Sequence, residues 1–181
     1  KNFDAIPETL LLDKENFYSG KVVISKSNYN ELEVIRLMSS GQVLEDMNIL
    51  IVNPNTKKIC GRDEVGEIWV SGDSVTKGYW QREELTKYTF KAQIHNSNGS
   101  LNKKHKGSYL RTGDMGFINN KELYIKGRLK ELMIINGVNH YPQDIERVVQ
   151  KSHIDLQNNA GAVFSIEVKG KEQLVIVQEI K

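Results

Sequence analysis

Cysteine is almost absent from this chain. Cys60 is the single one in 181 residues, so no disulfide can form within it, which fits a reducing cytoplasm. There is no Cys-x-x-Cys pair, and His95, His105, His140 and His153 fall at no metal-ligand spacing, which argues against a zinc site. No apolar run is long enough to span a bilayer, and no secretory leader is visible. Neither sign of charge dominates. The 25 Lys and Arg against 23 Asp and Glu leave +2, which gives no general pull toward nucleic acid or a membrane surface. Internal repeats and heptads are missing, as are a Gly-x-x-x-x-Gly-Lys phosphate loop and a Gly-x-Ser-x-Gly elbow. The chain begins at Lys1 rather than Met, which points to a segment of a longer protein.

What is present is the composition of a globular protein, 39% hydrophobic and 27% charged, long enough for one ordinary domain or two small pieces. Residues 7–18 predict a short helix and 21–25 a strand, with a polar loop at 27–30. A turn at Ser39-Ser40-Gly41 precedes the apolar run 47–52, a strand buried on both faces. Asn53-Pro54-Asn55-Thr56 turns the chain back through 58–60. A strand over 66–70 and a helix over 82–90 follow. Residues 96–107 (NSNGSLNKKHKG) form a surface loop whose lysines read as a solvated face, with a phosphate-rich partner as the minority reading.

Residues 109–111 and 116–118 predict two short strands around a turn, and Asn119-Asn120 a hairpin into a strand over 122–126. A strand over 132–135 leads through the loop 137–141 to Pro142, which opens a helix with Asp144 and Glu146 in its first turn and Ile145, Val148 and Val149 as its buried stripe. Two strands, 161–166 and 174–180, turn near Gly170. The pattern is α+β, with antiparallel strands up to about residue 126 and a strand, helix, strand, strand order afterwards. A domain boundary is expected at Gly127.

Three groups can carry chemistry. In Thr112-Gly113-Asp114 the glycine permits a sharp bend and leaves a carboxylate projecting. An ionised carboxylate has only acceptor sites and can take both hydroxyls of a ribose; an Asx-turn that merely stabilises a hairpin is the other reading. In Gly127-Arg128-Leu129-Lys130 the planar guanidinium of Arg128 can bond ribose or phosphate oxygens, and Lys130 is a solvated position able to pivot; an ordinary charged turn is the alternative. His140 can act as a base, but nothing near it in sequence marks a nucleophile. The residues alone stop short of a reaction.

Taken in order, Gly66-Glu67-Ile68-Trp69-Val70, Gly78-Tyr79-Trp80, Tyr109-Leu110-Arg111-Thr112-Gly113-Asp114, Gly127-Arg128-x-Lys130 and Tyr141-Pro142-x-x-Ile145-Glu146 form a series that resembles the adenylate-forming superfamily. That superfamily comprises acyl-CoA synthetases, peptide-synthetase adenylation domains and luciferases. The run GRLKELMIINGVNHYPQDIE looks most like the fatty acyl-AMP ligases. The resemblance is strong from about Gly41 to Lys181 and weak before it. It implies that residues 1–127 are the β-rich, distorted barrel-like end of a large adenylation domain, that 128–132 is a hinge, and that 133–181 is the start of a small α+β domain. Residues 7–25 fall where this branch carries an inserted segment.

The same resemblance implies that Asp114 holds both ribose hydroxyls of ATP and of acyl-AMP, that Arg128 contacts the ribose region, and that Lys130 is the residue about which the small domain rotates. Gly137 lies in a loop that approaches the active site in thioester-forming relatives, while Tyr79 and Trp80 read as packing. Two departures stand out. The family's phosphate loop and its ATP- and magnesium-binding segment lie upstream of the region matched here, and its catalytic lysine lies beyond Lys181. The expectation is a segment, inactive alone, of a cytoplasmic ligase that uses ATP and Mg2+ to convert a fatty acid to acyl-AMP and passes the acyl group to an acyl carrier protein or polyketide synthase carrier domain. A fatty acyl-CoA synthetase and a non-catalytic interaction module derived from the fold are the alternatives.

Overall fold

The computed structural model describes residues 8–25, 30, 33–135, 138–168 and 171–181. The chain divides into two compact units, Lys1–Lys126 and Gly127–Lys181.

In the first unit, β1 (Thr9–Asp13) pairs antiparallel with β2 (Val34–Met38), with Leu12 opposite Ile35. Helix α1 (Lys14–Tyr18) follows β1 directly. The expected helix over 7–18 is therefore half strand, and Pro7 lies outside the described residues. Asp13 sets the switch by capping: its carboxylate accepts from the Asn16 N–H at 2.9 Å and from the Asn16 side chain at 2.8 Å. These bonds hold the Asp13 carboxyl below the usual carboxylate range. Residues 21–25 make only isolated bridges, Lys21 to Glu64 and Ile24 to Leu12, rather than a full strand. Of the polar loop expected at 27–30, 27–29 lie outside the described residues.

The main sheet runs β3 (Met47–Val52), β4 (Gly66–Gly72), β5 (Leu110–Asn119), β6 (Glu122–Arg128), each neighbour in turn. Strand β3 pairs antiparallel with β4 from Met47↔Gly72 to Val52↔Glu67. The strand-rich, antiparallel character expected of this α+β chain is present as an open sheet, and no closed barrel occurs among the described residues. The hairpin between β5 and β6 turns on Asn120 and Lys121, with φ of 48° and 70°, the pair of positive angles that matches the right-handed twist of the strands. Helix α2 (Glu83–Phe90) sits between β4 and β5 in sequence, and Tyr79 meets Phe90 edge-on, ring centroids 5.1 Å apart. Trp80 does not pack as expected; it is 87% exposed.

Segment 8–25 is anchored in the core of this unit. Leu12, Phe17, Val22 and Ile35 cluster with Phe117 of β5 and Tyr124 of β6. Phe17 meets Phe117 edge-on at 6.1 Å, and Phe117 stacks on Tyr124 at 5.0 Å. A second cluster of Val52, Trp69, Ile94 and Tyr109 fills another part of the unit.

In the second unit, β7 (Met133–Ile135) pairs antiparallel with β8 (Val138–His140), a strand that had been expected as loop. Gly137 lies outside the described residues. Pro142 does open α3 (Pro142–Ser152). Its expected stripe is corrected: Ile145 and Val149 are half-buried, but Val148 is 64% exposed. The buried anchor is Tyr141, just before the helix; a Cβ on Gly127 would fall 2.6 Å from its ring. Helix α3 packs on β9 (Leu156–Val168), with the Glu146 carboxylate accepting from the Val163 N–H at 3.1 Å. Strand β10 (Lys171–Ile180) pairs antiparallel with β9, and both are longer than expected; Gly170 lies outside the described residues.

Phe17→Ala should lower stability by about 3–5 kcal/mol, the usual loss when a buried phenylalanine is truncated. Urea denaturation of the first unit's signal measures it, and a change under 1 kcal/mol would mean that segment 8–25 does not share that core.

Candidate functional site

The Thr112-Gly113-Asp114 tripeptide is not a turn between two strands. It is a bulge within one strand, β5. Glu67 pairs with Met115 and Trp69 with Arg111, so Thr112, Gly113 and Asp114 together stand opposite Ile68 alone. Three residues against one push the backbone out of the pleat and re-aim side chains. Gly113 has φ of 75°, a conformation that a residue with a Cβ adopts only with strain. Asp114 is half-buried at the end of this bulge.

A bulge strands backbone groups that a regular ladder would pair. Here side chains take them. The Thr112 hydroxyl donates to the Ile68 carbonyl at 2.8 Å and accepts from the Asp114 N–H at 3.0 Å. Glu67 Oε1 accepts from the Gly113 N–H at 3.2 Å.

Glu67 is itself 1% exposed and meets Arg111, 8% exposed. Arg111 Nε and Nη2 both donate to Glu67 Oε2, at 3.0 and 2.7 Å. Trp69 Nε1 donates to the same oxygen at 2.9 Å. The Arg111 guanidinium also lies 4.4 Å from the Tyr88 ring centroid and 5.6 Å from that of Trp69. Glu67 and Arg111 appear in the sequence only as parts of two strand-like motifs. The signal that could have found them is their opposite charge at positions that patterning assigns to a buried sheet.

Arg128 ends β6 and is exposed, and Lys130 is exposed within a single 3-10 turn, Leu129–Glu131. Both belong to the second unit, Asp114 to the first. His140 is in β8, paired with Met133. The one thiol is poorly suited as a nucleophile, since burial and then the Glu64 charge push Cys60 up to about 11. Burial, then Asp144, raises Tyr141 to about 12. A hollow of about 840 Å³ lies along residues 93–107, lined by Ile94, Leu101 and the lysines at 103, 104 and 106; none of residues 112–114 lines it. Among the described residues no group of three or more His, Cys, Asp or Glu can hold a metal ion, and no helix is long and apolar enough to cross a membrane.

The AMP-binding enzyme family matches residues 22–80. The medium-chain-fatty-acid–[acyl-carrier-protein] ligase JamA of Moorena producens is 42% identical over 172 residues, which are 95% of this chain and 28% of JamA. The putative fatty-acid–CoA ligase FadD21 of Mycobacterium tuberculosis is 42% identical over 134 residues, 74% of this chain and 22% of FadD21. Among solved structures, the fatty acyl-adenylate ligase from Legionella pneumophila in complex with acyl adenylate and pyrophosphate is 38% identical, with a TM-score of 0.61 over 98% of this chain and 29% of that one. The AMP-binding enzyme match lies within residues 22–80, and the chain as a whole is similar to fatty acid ligases, of whose length it spans between a fifth and a third.

Arg111→Ala should destabilise the protein by about 3–5 kcal/mol, because it leaves the Glu67 carboxylate buried without its cation. Thermal and urea unfolding test this; a loss below 1 kcal/mol would show that the pair is solvated.

Proposed function

We propose that this chain is a segment of a fatty acyl-AMP ligase. The ligase joins a fatty acid to the AMP part of ATP and hands the acyl group to the thiol of a carrier protein. The observation that carries this reading is the Thr112–Asp114 bulge, a fixed loop that ends in a carboxylate, within a chain 42% identical to a ligase named for that reaction. A fatty acid carboxylate oxygen attacks the α-phosphorus of ATP, the bond to the β-phosphate bridging oxygen breaks, and pyrophosphate leaves. The carrier thiol then attacks the acyl carbon, and AMP leaves.

Asp114 accepts the two ribose hydroxyls and so fixes the nucleotide for in-line attack. Arg128 adds a planar donor to the ribose region. Mg2+ would accompany the ATP phosphates and neutralise charge on them. Residues 1–127 are the end of the large domain, 128–132 the hinge and 133–181 the start of the small domain. Segment 7–25 is the branch's insertion, and its anchoring by Leu12, Phe17 and Val22 supports a rigid wedge rather than a loose flap. The use of ATP and a carrier protein points to the cytoplasm.

Likeness to FadD21 supports a second reading, with coenzyme A as the acceptor. Offering holo-carrier protein and coenzyme A in parallel separates the two: acyl-carrier product supports the first, acyl-CoA alone the second.

In the complete ligase, Asp114→Ala should cost about 2–4 kcal/mol in nucleotide binding, the range for charge-assisted hydrogen bonds. Calorimetry with AMP reads this, and unchanged affinity would reject the ribose role. Lys130→Pro, which fixes φ and restricts Leu129, should leave acyl-AMP formation intact while acyl transfer to carrier protein falls. Pyrophosphate release and acyl-carrier formation, measured side by side, test it. An equal fall in both would place the fault in folding, not in a hinge.

A further inference from the structure

Glu67 has no part in the reaction as described, yet it is among the most buried charged groups in the chain. Its carboxylate takes four donors: Arg111 Nε, Arg111 Nη2 and Trp69 Nε1 on Oε2, and the Gly113 N–H on Oε1. Arg111 Nε also lies 3.3 Å from Oε1. An ionised carboxylate offers about four lone-pair sites, so this one is saturated and cannot swing. Three of those contacts hold it still, and the fourth reaches the glycine that precedes Asp114.

The geometry points to Glu67 as the positioning residue for Asp114: the buried Glu67–Arg111 pair fixes the backbone on which the ribose-binding carboxylate is carried. The inference rests on the reading of Asp114 as the ribose grip. The peptides on both sides of Gly113 are tethered, one at the Gly113 N–H by Glu67 and the other at the Asp114 N–H by the Thr112 hydroxyl. Gly113, at positive φ, has the widest backbone freedom in the bulge, so the tether sits where freedom is greatest.

Glu67→Gln is a selective cut. A glutamine has one acceptor oxygen and one donor nitrogen. Three donors crowd the Oε2 position, so the amide oxygen goes there and the NH2 faces the Gly113 N–H, donor to donor. The tether to the bulge is lost while the side chain keeps its volume. A second variant, Glu67→Met with Arg111→Met, removes the tether and also the stranded cation; exchanging a buried ion pair for apolar side chains of similar volume is often neutral for stability.

The experiment measures ATP–pyrophosphate exchange by the complete ligase with ATP and with 2′,3′-dideoxyATP, alongside thermal unfolding. Both variants are expected to raise KM for ATP about tenfold, the loss of one well-made hydrogen bond, with kcat held within about threefold. KM for the dideoxy nucleotide should stay within about twofold, since it has no hydroxyls for a misplaced carboxylate to miss. Equal losses with both nucleotides would mean that Glu67 serves folding alone, and no loss with either would overturn the inference outright. Asp114→Ala is run in parallel. If it shows the ribose-specific loss and the Glu67 variants do not, the positioning role fails and the ribose reading stands. If Asp114→Ala still discriminates between the nucleotides as strongly as wild type, the ribose reading fails and the positioning role falls with it.

Discussion

The contact on which the first unit depends is the buried ion pair of Glu67 and Arg111. It joins adjacent strands, β4 and β5, at the place where their ladder is interrupted by three residues facing one. A bulge of that size opens a gap in the backbone pairing that would cost several unmade hydrogen bonds. Glu67 takes up the Gly113 N–H in that gap, and Trp69 and Tyr88 lie against the Arg111 guanidinium. Two buried charges are expensive unless each is fully satisfied. Here the carboxylate is saturated, and the guanidinium is paired and stacked.

That arrangement explains why a projecting carboxylate can be held firmly on a strand. Loops position groups less precisely than sheets do, and a bulge combines the two: it turns a side chain out of the pleat while both ends stay in register. The hydroxyl of Thr112 and the carboxylate of Glu67 replace the ladder bonds that the bulge removes. The sheet thus carries this irregularity without a free loop.

The segment before β3 has a comparable economy. It is polar on average, yet Leu12, Phe17 and Val22 reach the same aromatic stack of Phe117 and Tyr124 that backs β5 and β6. The face of β5 beyond the bulge is therefore covered by the beginning of the chain. In the second unit a long hairpin of β9 and β10 supports α3, whose helix start is fixed by Pro142 and by the buried ring of Tyr141 before it.

The sequence by itself determined the elements whose causes are local. The run 47–52, the strand beginning at Gly66, helix α2, the Asn120 hairpin and the Pro142 helix start all follow from turn chemistry, a proline at a helix start and apolar runs that act within a few residues. The resemblance carried by the ordered motifs likewise needed no coordinates, and the similarity to fatty acid ligases agrees with it. Tertiary structure decided the rest, because the deciding partner lay far away in the chain. Residues 9–13 became a strand because β2, more than twenty residues on, offered an edge to pair with. Val148 was left exposed because a helical stripe says which residues share a face but not how much of that face a neighbour covers. The Thr-Gly-Asp motif became a bulge, not a turn, because β4 continues past it with a single residue to offer. Glu67 was silent in the sequence for the same reason: a buried acid becomes meaningful only when Arg111, 44 residues later, is folded against it.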